Sequence, residues 1–123
     1  MKKIMIVDDE PGVTYTVKYG LESLDSQYEV TCVDNGKRCI ELLEQNQIPD
    51  LILLDIMLPG MNGWAIYKTI KEHPSWKDIP IVLLTDRNDA IAKNSGSFLA
   101  NDFINKPFKI PELKIRIERL LNH

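Results

Sequence analysis

Short apolar runs alternate with amphipathic stretches along the whole chain. Three of these runs, residues 4–7, 51–54 and 81–84, are continuously apolar, which is typical of strands that helices cover on both faces of a parallel sheet. Residues 28–33 alternate apolar and polar side chains, and this pattern favours a strand nearer the edge of the sheet. A weaker fifth run lies at residues 103–104. The pattern therefore predicts five strands.

Apolar side chains at helical spacing fill most of the intervals between these strands. Asn35 and Asn62 suit helix caps, and Pro11 and Pro111 suit the first turns of helices. The stretch 86–100 has only a short helix-like core and predicts a short or frayed helix. Five strands alternating with five helices through right-handed crossovers predict an α/β fold with an open, doubly wound parallel sheet. The apolar stripes are Val13, Val17, Leu21 and Leu24; Ile40 with Leu43; Ile66 with Ile70; and Leu113, Ile117, Leu120 and Leu121.

The composition is that of one ordinary domain, with 123 residues, 44% of them hydrophobic and 27% charged. The formal net charge of -3 has the wrong sign for nucleic acid unless a local basic patch exists. Because no targeting signal or membrane span is apparent, we expect a cytoplasmic protein that binds neither nucleic acid nor membrane. Cys32 and Cys39 are interpreted as packing residues. His73 and His123 accompany no nucleophile in a triad arrangement.

Polar side chains stand where the predicted strands end. Asp8 and Asp9 follow the first strand, Asp55 the third and Thr85 the fourth, and the fifth leads into Lys106. In a doubly wound sheet these carboxyl ends meet at one crevice. Carboxylates gathered there need a hard cation or protons, and Mg²⁺ accepts a few carboxylates plus waters. The sequence therefore predicts a site for a divalent cation.

Each of these residues also has a simpler interpretation. Asp8 and Asp9 favour the dipole of the helix that follows them, Thr85 is an ordinary β-branched strand residue, and Lys106 alone is a surface lysine. Asp55 is harder to explain in this way, because a carboxylate directly after four apolar strand residues is poorly solvated without a partner. Lys106 is the partner that we expect. The complete set is less easily attributed to chance than any of its members.

A carboxylate beside a divalent cation and a lysine is a weak base, yet it can attack phosphorus and form an acyl phosphate. The cation would offset charge on the phosphoryl oxygens, while Lys106 and the Thr85 hydroxyl would hold the remaining ones. The residues therefore support the hypothesis that Asp55 accepts a phosphoryl group.

Four segments resemble the receiver domains of two-component response regulators, in the order and at separations similar to those of that family. The resemblance spans the entire chain and is to a single-domain, chemotaxis-receiver-like regulator. It implies a flavodoxin-like sheet with strand order 2-1-3-4-5, and a receiver domain over residues 1–123 with no output domain in this chain. The segments are VDDEP at 7–11, DIMLPGMNG at 55–63, LT at 84–85 and NKPF at 105–108.

The resemblance implies that Asp55 is the phosphoacceptor. The donor would be a phosphohistidine on a sensor histidine kinase or a histidine phosphotransfer protein, or a small molecule. Asp9, Asp55 and the Met57 backbone carbonyl would bind Mg²⁺ (or Mn²⁺) directly, and Asp8 would act through a bound water. The domain would not be an enzyme acting on a separate substrate, although self-phosphorylation and autodephosphorylation at Asp55 are expected.

The resemblance also implies a switch. Thr85 and Lys106 would bind phosphoryl oxygens, and Phe103 would rotate as Thr85 moves, giving two states biased by one local event. The Lys106-Pro107 peptide bond is a candidate for the cis form. Output would pass to a protein partner through the last helix-strand-helix face or by onward phosphotransfer, and a phosphorylation-dependent dimer is left open.

Two positions depart from the family pattern. Asp86 follows Thr85 where a small residue is usual, and we hypothesise that its carboxylate slows loading by small donors, with Arg87 offsetting part of the charge. An Asp86→Ala variant that loads at the wild-type rate would count against this hypothesis. Leu99 stands where glycine is common before the last strand, so the turn into that strand is expected to differ.

Three other functions are weighed against the switch. A small aspartyl-phosphate phosphatase would need a carboxylic acid two residues after its nucleophile, where this chain has Met57. A phosphate-independent pseudo-receiver would signal without phosphate, yet every phosphorylation residue is present. A flavin-binding module would open its first strand into a phosphate-cradling loop, whereas the acidic run at residues 8–10 would repel anions.

Overall fold

A computed structural model describes residues 1–58, 60, 62–86 and 102–122 of the chain. Strands and helices alternate along most of its length. The elements are β1 (Lys2–Val7), α1 (Pro11–Leu24), β2 (Tyr28–Val33), α2 (Gly36–Glu44), β3 (Leu51–Asp55), α3 (Gly63–Glu72), β4 (Ile81–Asp86), β5 (Asp102–Lys106) and α4 (Ile110–Leu121).

The five strands form one parallel sheet in the order β2-β1-β3-β4-β5. This arrangement confirms the predicted flavodoxin-like, doubly wound sheet. The strand with alternating polarity, β2, lies at one edge, and the three continuously apolar strands lie inside the sheet, as their patterns predicted. Four helices occur in the described residues. Asp86 is the last residue of β4, and the remainder of the helix predicted at 86–100 lies outside the described residues.

Two buried clusters, one on each face of the sheet, form the core. The inner strands supply both clusters because successive side chains of a strand point to opposite faces. In β1, for example, Met5 and Val7 pack with residues of α2 and α3 on one face, whereas Ile4 and Ile6 pack with residues of α1 and α4 on the other. The continuous apolar runs therefore reflect burial on both faces.

Local signals set the ends of the helices. The Asn35 side chain accepts a hydrogen bond from the backbone N–H of Arg38 at 2.8 Å, and Asn62 does the same for Ala65 at 2.9 Å, so both predicted caps are confirmed. The last member of the apolar stripe predicted for α1 is wrong. Leu24 is 52% exposed because it ends the helix beyond Leu21, the last buried residue of α1.

Helix α1 also closes the outer edge of β2. At Val30 the backbone N–H donates to Glu22 Oε2 at 2.9 Å, and the carbonyl accepts from Lys18 Nζ at 2.9 Å. Lys18 and Glu22 are themselves paired at 3.0 Å. Backbone groups of an edge strand are otherwise open to pairing with another chain, so these two side chains protect the middle of this edge.

Cys39 is fully buried beside Met5, and Cys32 is partly buried. Both cysteines are free thiols, in agreement with their interpretation as packing residues. Across the parts of the chain that the structure describes, every helix is too short or too polar to cross a bilayer.

Candidate functional site

The carboxyl ends of the strands bring the acidic residues and one lysine together. Asp8 directly follows β1, Asp55 is the last residue of β3 and Lys106 is the last residue of β5. In the register of the sheet, Val7 lies opposite Leu54, one residue before Asp55. Asp8 and Asp55 are almost fully buried, with residue exposures of 1% and 4%. Charges at this depth need partners.

Lys106 supplies the partner for both carboxylates. Its Nζ lies 2.7 Å from Asp8 Oδ2 and 3.2 Å from Asp55 Oδ2. The ion pair expected between Lys106 and Asp55 is thus present, and Asp8 shares it. Glu10 Oε1 lies 3.8 Å from the same ammonium. Three carboxyl groups thus lie within 4 Å of Lys106, and Asp9 lies close to two of them, so negative charge is in excess among the described residues of the site.

Backbone amides orient the two buried carboxylates in the same way. The N–H of Glu10 donates to Asp8 Oδ1, and the N–H of Met57 donates to Asp55 Oδ1, both at 2.9 Å. Each is a hydrogen bond from the residue two positions further on, the pattern of an Asx turn. In both residues Oδ1 is bound by the backbone and Oδ2 faces Lys106. The side chain of Met57 itself is exposed.

Three carboxylates offer a donor set for a metal ion. One oxygen from each of Asp8, Asp9 and Asp55 lies within 4.8 Å of the others. Carboxylate oxygens are hard donors of the kind that Mg²⁺ and Mn²⁺ prefer. Asp9 is exposed while the other two are buried, so one side of the set is open to solvent. The donor chemistry therefore fits a hard divalent cation that keeps several waters.

Burial and charge act against each other in the site. Burial raises the pKa of the Asp55 carboxyl, and the nearby Asp8 charge adds to this rise, while the Met57 N–H and the Lys106 ammonium oppose it. For Lys106, burial alone would lower the pKa, but the hydrogen bond to Asp8 and the charges of Asp55 and Asp8 outweigh it and raise the pKa. Lys106 is therefore charged at neutral pH, and ionised Asp55 is held at a cost in free energy.

A close approach of backbone closes the segment between β3 and α3. The N–H of Gly63 donates to the Ile56 carbonyl at 3.1 Å, and a Cβ on Gly63 would collide with the Ile56 Cα and the Asp55 carbonyl oxygen. Only glycine fits here. Gly60 adopts a positive φ of 76°, which also favours glycine. Both glycines belong to the segment 55–63 that carries the resemblance, and Gly63 packs against the backbone of Asp55 itself.

Thr85 is fully buried near the end of β4, and its hydroxyl forms a hydrogen bond with a side chain of the adjacent strand β5. Thr85 Oγ1 donates to Asn105 Oδ1 at 2.9 Å, and the two residues are opposite each other in the pairing of β4 with β5. Phe103, two residues before Asn105, is half-buried against the cluster on the α2–α3 face. The Lys106-Pro107 peptide bond is cis.

Several contacts of the site were not foreseen from the sequence, among them the ion pair of Asp8 with Lys106. The proximity of Glu10 to Lys106 could have been inferred from the acidic run at 8–10. The partnership of Asn105 with Thr85 depends on strand register, and the tight packing of Gly63 depends on the path of a loop. The side chain of Asp86, together with Arg87 and Leu99, lies outside the described residues.

Comparisons with known proteins agree with this arrangement. The family model described as "Response regulator receiver domain" matches residues 4–118. The chain is 33% identical, over 98% of its length, to the phosphate regulon transcriptional regulatory protein PhoB of Rhizobium meliloti (strain 1021), and it spans 52% of that relative. It therefore spans about half the length of this curated relative.

Two solved structures are also similar to the chain. One is the receiver domain of a signal transduction histidine kinase from Syntrophus aciditrophicus, with a TM-score of 0.88 and 33% identity, covering 99% of this chain and 91% of that one. The other is the receiver domain of sensor histidine kinase PA1611 from Pseudomonas aeruginosa PAO1, which holds a magnesium ion in its active-site cleft. Its TM-score is 0.87 with 28% identity, covering 99% of this chain and 98% of that one.

Proposed function

This chain belongs to the response regulator receiver domain family of two-component systems, and on that premise we propose that it is a switch controlled by phosphorylation of Asp55. The observation that carries the proposal is the placement of Asp55. Its carboxylate is buried at the end of β3, oriented by the Met57 N–H at 2.9 Å and paired with Lys106 at 3.2 Å. An aspartate held in this way is positioned for attack on an electrophile that enters the crevice.

The proposed reaction transfers a phosphoryl group from a phosphohistidine. A carboxylate oxygen of Asp55 attacks phosphorus, an O–P bond forms, and the P–N bond of the phosphohistidine breaks with its electron pair returning to the imidazole nitrogen. The product is an acyl phosphate on Asp55. Acetyl phosphate can serve as donor in the same way, with acetate leaving.

The residues of the chain divide the work of charge stabilisation. Lys106 stays protonated, and its ammonium is close enough to the Asp55 carboxylate to pair with an oxygen of a phosphoryl group attached there. Asp8, Asp9 and Asp55, with the Met57 backbone carbonyl, would hold Mg²⁺ or Mn²⁺. When bound, such a cation offsets negative charge on the phosphoryl oxygens. The proposed role of Thr85 is to donate its hydroxyl hydrogen to one of those oxygens.

The proposed partner is a sensor histidine kinase or a histidine phosphotransfer protein. Two of the similar solved structures are receiver domains of histidine kinases, which supports a partner of that class. A groove of about 410 Å³ opens beside Lys106, wide enough to admit side chains of a partner next to the site. The residues that line this groove are Glu10, Gly12, Val13, Thr16, Lys106, Pro107 and Phe108.

The proposal also includes the output of the switch. The signal would pass through the last helix-strand-helix face, by onward phosphotransfer or through a dimer.

The alternative of a phosphatase that turns over a separate substrate receives less support. Such an enzyme needs an acid to protonate its leaving group. Met57 occupies the expected position, and its exposed thioether has no proton to give. We therefore propose a phosphoacceptor whose chemistry is confined to gaining and losing its own phosphoryl group.

Intact mass spectrometry after incubation with acetyl phosphate and Mg²⁺ tests the proposal. We expect the wild type to gain the mass of one phosphoryl group, and to gain none when a chelator replaces Mg²⁺. Asp55→Asn should gain none under either condition. Asp50→Asn is the matched control, because Asp50 is an exposed aspartate just before the same strand and its variant should load like the wild type.

Two results would decide against the proposal. A wild type that binds Mg²⁺ but gains no mass would favour the phosphate-independent pseudo-receiver. An Asp55→Asn variant that still loads as fast as the Asp50→Asn control would place the acceptor elsewhere.

A further inference from the structure

We propose that Asn105 is a positioning residue that holds the Thr85 hydroxyl in the unphosphorylated state and must release it before Thr85 can contact a phosphoryl group. This inference rests on the proposed function, because it concerns how Thr85 becomes available to phosphorylated Asp55. In the unphosphorylated state, the hydrogen bond between Thr85 and Asn105 would oppose the movement of Thr85 towards the phosphoryl group.

The side chains of Thr85 and Asn105 are in direct contact. Thr85 and Asn105 are register partners on adjacent parallel strands, and their side chains are joined at 2.9 Å from Thr85 Oγ1 to Asn105 Oδ1. Thr85 is fully buried, so water does not replace this partner easily. The hydrogen bond is therefore a defined feature of this state.

The chemistry of a hydroxyl makes the two bonds mutually exclusive. A threonine hydroxyl has a single hydrogen to donate. Here that hydrogen is directed at the Asn105 carboxamide oxygen, whereas a phosphoryl group on Asp55 would present oxygen atoms that accept hydrogen bonds. Thr85 can donate to the phosphoryl group only after its bond to Asn105 is broken.

The other member of the proposed switch lies on the same strand face. Phe103 and Asn105 are two residues apart in β5 and so point to the same side of the sheet. Strand β5 is fastened to α4, because Arg116 Nη1 donates to the Phe103 carbonyl at 3.0 Å and to Asp102 at 3.0 Å. Asn105 is therefore carried by an anchored strand, and release of Thr85 frees an acceptor next to Phe103.

A double-mutant cycle with a phosphoryl mimic tests the proposal. The four proteins are the wild type, Asn105→Leu, Thr85→Val and the double variant, and the probe is beryllofluoride with Mg²⁺, titrated by NMR of backbone amides. Leucine keeps the approximate size of asparagine without an acceptor. Removing one opposing hydrogen bond should tighten beryllofluoride binding about 2- to 12-fold in the Thr85 protein, and the same change should have no effect in the Thr85→Val protein.

Unfolding of the same four proteins in urea, without beryllofluoride, provides a second readout. If the hydrogen bond exists in the free protein, the effects of Asn105→Leu and Thr85→Val on the unfolding midpoint are non-additive. If Thr85→Val abolishes binding of the mimic, this readout tests the hydrogen bond itself, and the affinities of the wild type and Asn105→Leu test whether that bond opposes binding. Asn105→Ala replaces Asn105→Leu if the leucine variant does not fold.

The outcomes separate this proposal from the proposed function. Equal affinities for wild type and Asn105→Leu, or an equal change in both Thr85 backgrounds, would overturn the role of Asn105, as would additive effects on unfolding. A wild type that takes neither beryllofluoride nor a phosphoryl group would instead overturn the proposed function.

Discussion

Two lysines at opposite ends of the sheet hold the same kinds of partners in different surroundings. Lys2 begins β1, and its Nζ lies 3.1 Å from Glu118 and 3.5 Å from Asp25. Lys106 lies beyond the other end of β1, 2.7 Å from Asp8 and 3.2 Å from Asp55. The two clusters differ in burial. The side chains of Glu118 and Asp25 are 27% and 24% exposed, whereas those of Asp8 and Asp55 are 0% and 5% exposed.

Burial outweighs the effect of ion pairing on the pKa at one end of the sheet but not at the other. At the amino end, hydrogen bonds from Lys114 and Lys2 lower the pKa of Glu118, so its ionised form favours the folded state. At the carboxyl end, burial raises the pKa of Asp55 despite the adjacent Lys106, so its ionised form opposes folding. Pairing with lysine is thus enough to favour the ionised carboxylate of Glu118 near the surface, whereas the ionised carboxylate of Asp55 is held against the cost of burial.

The largest expected change in the free energy of unfolding comes from removing Lys106, and removal of Lys2 is the matched comparison. Lys106→Met would remove the ammonium that pairs with two buried carboxylates and should lower the free energy of unfolding by about 3 kcal/mol. Lys2→Met, the matched change at the less buried end, should produce a loss too small to separate from the error of the measurement. Urea unfolding at neutral pH and low salt measures both, and equal losses would show that burial does not distinguish the clusters.

A smaller loss is expected from the loop that shapes the carboxyl end. Gly63→Ala would force a Cβ against the backbone of Ile56 and Asp55 and should lower the free energy of unfolding by about 1–3 kcal/mol. Gly12→Ala is the control, because a Cβ at Gly12 has no neighbour within 4 Å. It should be neutral or stabilising by at most about 1 kcal/mol. Thermal unfolding measures both variants. An equal loss of stability in the two would contradict the close approach of Gly63 to the backbone of Ile56 and Asp55.

The smallest effects, of opposite sign, are expected from neutralising one carboxylate in each cluster. The folded pKa of Asp55 is raised from its ordinary value of 3.8, so its ionisation costs stability as pH rises above 3.8, and Asp55→Asn should gain stability at neutral pH. The folded pKa of Glu118 is lowered from 4.5, so its contribution is present above 4.5 and is lost as pH falls through the folded pKa. Glu118→Gln should therefore lose stability at neutral pH.

Unfolding curves measured across the acid range check these signs. The gain of Asp55→Asn should shrink towards pH 3.8, and the loss of Glu118→Gln should vanish in acid. A loss of stability in Asp55→Asn at neutral pH would contradict the idea that the carboxyl-end cluster holds its charge at a cost.

Much of the fold and part of the site could be predicted from the sequence because they follow from local pattern. Continuous apolar runs identified the inner strands, and the convergence of strand ends brought Asp8, Asp55 and Lys106 together. The bond between Thr85 and Asn105 could not be foreseen, because it depends on the register of two strands separated by fifteen residues. The exposure of Leu24 was missed because helical periodicity does not reveal where the underlying sheet ends.

Mapping the phosphoryl group onto the chain tests the central claim most directly. The wild type would be loaded with acetyl phosphate and Mg²⁺, trapped by borohydride reduction, digested and sequenced by tandem mass spectrometry. We predict modification at Asp55 alone, with Asp8 and Asp9 in the same cluster and Asp25 and Glu118 in the less buried one left unmodified. Modification at any of these other carboxylates in amounts similar to Asp55 would contradict the claim that the buried end of β3 holds the acceptor.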